Sequence, residues 1–120
     1  MIAIDRMMKE IKAHPDFGKA GMVLAHNGVV RESSRDGRAV TGLTVHVNHE
    51  RLAELMAEYR SRDGIVDILI EIEEEKPLSI GDDVMAIVVA GNIRENVLET
   101  LSGLLNAVKA EVTSKTEHFA

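Results

Sequence analysis

Residues 84–90 read Val-Met-Ala-Ile-Val-Val-Ala, with no polar side chain at any position. Successive side chains of a strand point to opposite faces, so a strand that is apolar on both has to be covered on both. The segment therefore predicts a central strand in a layered domain. A chain of 120 residues, 45% of them apolar and 28% charged, can build such a core once, and residues 1–120 are expected to form a single domain.

The segments around it supply the other layers. Val66, Ile68, Ile70 and Ile72 share one face opposite Asp67, Leu69 and Glu71, while Leu43, Val45 and Val47 alternate with Thr44, His46 and Asn48. Both have the period of two expected of strands with one buried face. A further strand is expected over about residues 20–30, and Asp36-Gly37 in the stretch between supplies a turn signal, which predicts a hairpin of the strands at 20–30 and 40–48 with a long tip. Three helices complete the pattern. The first carries Ile2, Met7, Met8 and Ile11 and should stop at His14-Pro15, and the second repeats Leu52, Leu55, Met56 and Tyr59 until Asp63-Gly64. The third is the clearest, with Asn92 as a cap, Glu95 three residues on, and a stripe of Val97, Leu98, Leu101, Leu104, Leu105, Val108 and Val112. It should be about 30 Å long. The connections are too short for many parallel crossovers, so the fold class is α+β, a mostly antiparallel sheet with packed helices.

Several function classes are disfavoured. The chain has no cysteine, which removes disulfides, thiolate nucleophiles and zinc sites built on sulfur. No apolar run reaches the roughly 20 residues needed to cross a bilayer, and the N-terminus has no signal-peptide core, so a cytoplasmic protein without membrane contact is expected. A net charge of -6 and an aromatic set limited to Phe17, Tyr59 and Phe119 argue against nucleic acid as a partner. The glycines are not grouped as a phosphate loop, and no Ser-His-Asp arrangement carries a nucleophile turn.

Among polar residues, Arg94 is the oddity, because a cation in the first turn of a helix opposes the positive end of the helix dipole. A bound phosphate or carboxylate would offset this; so would a surface pair with Glu95 or another acid. Lys109, near the other end of the same helix, is favoured by the dipole, Lys115 lies in a polar tail, and Arg31 opens the tip between the first two strands. Each has an ordinary surface reading. His46 and His49 are three apart, but they straddle a strand end and lack a third ligand, so metal binding is disfavoured. His14, His26 and His118 are scattered.

Four stretches, taken in order, resemble the large catalytic subunit of molybdopterin synthase, the MoaE family. They are Gly21 through Gly28-Val29-Val30-Arg31; Gly37-Arg38-Ala39-Val40 leading into Leu43-Thr44-Val45; Leu78-Ser79-Ile80-Gly81-Asp82; and Arg94 with Lys109 fifteen residues later and Ser114-Lys115-Thr116-Glu117. The resemblance implies the α/β-hammerhead fold of that subunit. It also implies its chemistry. A small ubiquitin-like sulfur carrier inserts a C-terminal Gly-Gly tail, as a thiocarboxylate, into a pocket of the large subunit, and sulfur moves to cyclic pyranopterin monophosphate to form the dithiolene of molybdopterin.

The resemblance implies no metal or redox cofactor, and a homodimer with one small subunit at each end. By position, Arg31 and Arg94 match residues lining the anion-binding part of the pocket, Lys109 the central active-site lysine, and Lys115 a second lysine for substrate binding or proton transfer. A lysine among other cations is pushed toward its neutral form, able to act as base or nucleophile. Ile93 stands where the family usually has a histidine and Ser114 where it has a tryptophan. A non-catalytic relative that binds a ubiquitin-like tail is the alternative.

Overall fold

The computed structural model describes residues 2–120. The chain runs α1 (Ile4–Lys12), a short 3-10 turn (Phe17–Lys19), β1 (Met22–Val29), β2 (Val40–Val47), α2 (His49–Arg60), β3 (Ile65–Ile72), β4 (Leu78–Ser79), β5 (Asp83–Gly91), α3 (Arg94–Glu111) and β6 (Thr113–Phe119). The strands form two three-stranded sheets, ordered β1-β5-β3 and β4-β2-β6, and their pairings are antiparallel.

β5 is the central strand that its composition requires. Ala86, Ile87, Val88, Val89 and Ala90 are all fully buried. Alternation divides them between two cores. Met85, Ile87 and Val89 pack with Leu55 and Met56 of α2 and with Val97, Leu101, Leu104 and Val108 of α3, whereas Ala86, Val88 and Ala90 pack with Ile2, Met7 and Ile11 at the α1 side. Small alanines at 86 and 90 leave volume for Met7 and Ile11, the only fully buried side chains of α1. A third, smaller core of Val30, Leu43, Val45 and Leu78 lies under the second sheet, with Ile72 and Val84 of the first sheet packed against it.

Three sequence expectations change. β1 and β2 do not pair as a hairpin: β1 pairs with β5, and only Ser33 and Ala39 bridge at the tip. A strand buried on both faces must have the backbone groups of both edges hydrogen-bonded, and β1 and β3 take those edges. That leaves β2 for a second sheet. The residues beyond α3 are a strand, β6, pairing with β2 from Val47↔Thr113 to Val40↔Phe119. Finally, Ile93, not Asn92, is the N-cap of α3 and offers no side-chain cap; Asn92 Oδ1 instead accepts from Ile93 N at 2.8 Å and Asn96 Nδ2 at 2.9 Å.

Gly91 marks where β5 ends against α3. A Cβ there would stand 2.8 Å from Val97 Cγ2 and 2.9 Å from the Gly64 carbonyl oxygen. Neither can retreat easily, since Val97 is fully buried and Gly64 O accepts from Asn92 N. Gly91→Ala is therefore expected to cost about 1–3 kcal/mol by overpacking, read as a Tm lowered by about 4 °C for each kcal/mol in a domain of this size.

Candidate active site

Where the two sheets meet the C-terminal end of α3, they enclose an open cavity of about 510 Å³. That is within the ordinary range for small-molecule sites, about 300–1,000 Å³. Its apolar floor comes from Leu43 and Val45 of β2, Ile72 of β3, and Val84 and Met85 of β5. Its charge is one-sided. Arg31, Arg35, Lys109 and Lys115 line it against Glu117 as the single acid, in a chain whose net charge is -6. Four cations converging in an acidic protein make a local field suited to an anion.

Each of these side chains is placed by backbone that the core holds. Arg31 follows Val30, which is 2% exposed and whose N–H donates to Asp82 O while its carbonyl accepts from Gly81 N. Beyond it the tip is folded on itself: Ser34 N donates to Arg38 O at 2.9 Å, Gly37 N to Ser34 O at 3.0 Å, and Gly37 adopts φ +86°. Arg31 Nε donates to Ser33 O at 2.7 Å, which turns the guanidinium along the cavity wall. Ser34 also bonds Asp36, and that bond holds the Asp36 carboxyl below the usual carboxylate range.

Lys109 stands in the last turn of α3, where buried Val108 and Val112 anchor the helix end and the helix dipole favours a cation. The chain then turns directly into β6. Thr113, Lys115 and Glu117 lie opposite Val47, Val45 and Leu43, so alternation presents all three to the cavity; Ser114, on the other phase, also borders it where the chain leaves α3, while Thr116 and His118 do not. Lys115 is thus a strand residue aimed beside Lys109. The polar sequence 113–119 hid this, because it lacks the apolar alternation that announces a strand.

Arg94 does not join them within this chain. It opens α3 and is exposed, while Lys109 is fifteen residues further along, about 22 Å at the usual helical rise. Among the described residues no ion pair engages Arg31, Arg94, Lys109 or Lys115, so the surface pairing open to Arg94 is not formed. His46 and His49 instead bond separately to Glu75 at 2.9 Å and Glu74 at 2.7 Å. Among the described residues no cluster of His, Asp and Glu is arranged to hold a metal ion, and no helix is long and apolar enough to cross a membrane.

Two titratable residues of the cavity, Arg35 in the tip and His26 in β1, are not singled out by the sequence. Met22, Leu24, His26 and Gly28 share one face of β1; Met22 and Leu24 pack on the main core, and His26 continues that face to the cavity wall. Its Nε2 is buried and, among the described residues, has no hydrogen-bond partner. Burial, and secondarily the charge of Lys109, push its imidazole below the usual histidine range. The available signal was a histidine on the apolar phase of a strand, visible only once the face of β1 is known.

Comparisons with known proteins agree with the fold. A molybdopterin synthase structure from Staphylococcus aureus superposes with a TM-score of 0.72 at 22% identity, covering 85% of this chain and 77% of that one. A complex of subunits 1 and 2 of molybdopterin-converting factor from Helicobacter pylori gives 0.74 at 16% identity, over 99% of this chain and 84% of that one. Molybdopterin cofactor biosynthesis protein E from Burkholderia multivorans gives 0.76 at 20% identity, again over 99% and 84%. No curated relative matches the chain. The sequence itself matches the family described as MoaE protein over residues 1–111, which includes Arg31, Arg94 and Lys109 and stops short of Lys115. The chain belongs to the MoaE family, the large catalytic subunits of molybdopterin synthase in molybdenum cofactor biosynthesis.

Proposed function

We propose that this subunit transfers sulfur from the C-terminal thiocarboxylate of a small ubiquitin-like partner to cyclic pyranopterin monophosphate, and that the cavity at the end of α3 is where transfer occurs. The observation that carries this reading is the convergence of Arg31, Lys109 and Lys115, from three separate elements, on one cavity. Arg31 and Lys115 bind the pterin phosphate, since fixed cations at an apolar floor favour a planar, anionic substrate. Lys109 carries the chemical step at the thiocarboxylate carbon, and Lys115 also moves protons. No thiol is required of this chain, because the sulfur arrives on the partner.

Arg94 serves the same anion in a different way. A side chain at the far end of α3 cannot reach the cavity of its own protomer, so its contribution requires a second copy. Ile93 and Leu98, which are 51% and 47% exposed, flank it and offer an apolar surface that a second copy would cover. The functional unit on this reading is a cytoplasmic homodimer with one small subunit at each end, each cavity completed by Arg94 of the opposite protomer.

The test is a reconstitution of the full chain with a thiocarboxylated small subunit and cyclic pyranopterin monophosphate, followed by assay of the dithiolene. Product is expected only with the thiocarboxylated tail. A stable complex that makes none would favour a subunit that binds the tail without catalysis.

A further inference from the structure

We infer that His26 is an anion contact of this cavity, its Nε2 taking up one proton from solvent as an anionic ligand enters and donating that hydrogen to the ligand. The inference rests on the reading of the cavity as an anion site. Its basis is geometric. Buried polar atoms are nearly always hydrogen-bonded, and Nε2 is buried without a partner among the described residues. His26 and Gly28 both line the cavity, and a Cβ at 28 would lie 3.5 Å from Nε2; the nitrogen is covered at the cavity wall, with only a glycine beside it, so a rotation of the ring brings it to a ligand.

The surrounding charges give this nitrogen a conditional role. The titratable and charged groups facing it are Arg31 after β1, Arg35 in the tip, Lys109 of α3, and Lys115 and Glu117 of β6. Burial disfavours a proton on the imidazole, and the charge of Lys109 acts in the same direction. An anion placed among those cations reverses the sign of the field, and an imidazolium Nε2–H then meets an acceptor. The neutral ring is compatible with the empty cavity and the charged ring with the filled one. Such a group makes anion binding and proton uptake reciprocal. Because its proton affinity starts low and rises on binding, the gain in affinity is present at low pH and is lost as pH rises through the value in the filled cavity.

Sulfate is a suitable probe, since it carries the same charge throughout the range in which histidine titrates. Sulfate affinity of the full chain should be measured by calorimetry for the native protein, for His26→Gln, whose amide reaches a similar distance without titrating, and for Arg31→Ala. The native protein is expected to bind sulfate about tenfold more tightly near pH 6 than near pH 8, and His26→Gln to change by less than about twofold. The other four histidines lie outside the cavity and are common to both proteins. An NMR titration of the His26 ring in the native protein, with and without sulfate, needs no variant, and the midpoint should move to higher pH with the anion. A native-like pH slope in His26→Gln, or an unmoved midpoint in a protein that binds sulfate through Arg31, would overturn the role of His26 and leave the anion site standing. Sulfate binding that is absent, or indifferent to Arg31→Ala, would overturn both.

Discussion

Lys109→Ala is expected to lower turnover of the reconstituted synthase by about a thousandfold, within the range of about 10²–10⁴ that a positioned proton-transfer or nucleophilic group contributes. The fold should survive the change. Alanine is the best helix former, and Lys109 is an exposed residue of the last turn, so the stability cost is confined to the cation's interaction with the helix dipole, a few tenths to about 1 kcal/mol. Binding of the small subunit should persist. Lys109→Arg separates charge from chemistry, because the guanidinium keeps the positive field yet does not give up its proton to become a base or nucleophile. If the amine does the chemistry, the arginine variant is nearly as inactive as the alanine one; if only the charge matters, it recovers most of the rate. Single-turnover dithiolene formation, with thermal denaturation as a control, decides between these, and alanine activity within about tenfold of native would remove Lys109 from the chemical step.

How much of this was legible before the structure depended on what each signal records. Apolar period and apolar excess report burial, so β5, β3 and the α3 stripe could be read directly from residues 84–90, 65–72 and 97–112. Pairing is a different matter. The β1–β2 hairpin was wrong because sequence proximity and a turn signal cannot weigh the demand of β5 for two hydrogen-bonded edges, which only the assembled core makes visible. β6 was missed because Thr113–Phe119 is polar on both phases, its order coming from backbone bonds to β2. The cavity shows the same division. Arg31, Lys109 and Lys115 could be nominated by position, but the wall that unites them includes β6, and the distance that separates Arg94 from them is set by α3. In the sequence His26 is one scattered histidine among others, since its meaning lies in which face of β1 it occupies.

Arg94 leads to the second large effect, a recovery of activity by mixing two inactive proteins. Arg94→Ala alone is expected to weaken substrate use by about one to two orders of magnitude, the loss of a charge-assisted contact to phosphate. On the proposed dimer, where Arg94 serves the opposite protomer, a hybrid of one Arg94→Ala chain and one Lys109→Ala chain has one cavity lacking both groups and one cavity with both intact. Random pairing makes half of the dimers hybrid, so co-expressed chains should regain up to about a quarter of the native sites. The recovered sites should show the native KM, because nothing in them is altered. If Arg94 acted within its own chain, each cavity of the hybrid would carry one of the two lesions and mixing would restore nothing. The geometry of α3 favours the first outcome: a straight helix holds its first and last turns apart, and only the symmetry of a pair of chains can return Arg94 to a cavity built at the helix's far end.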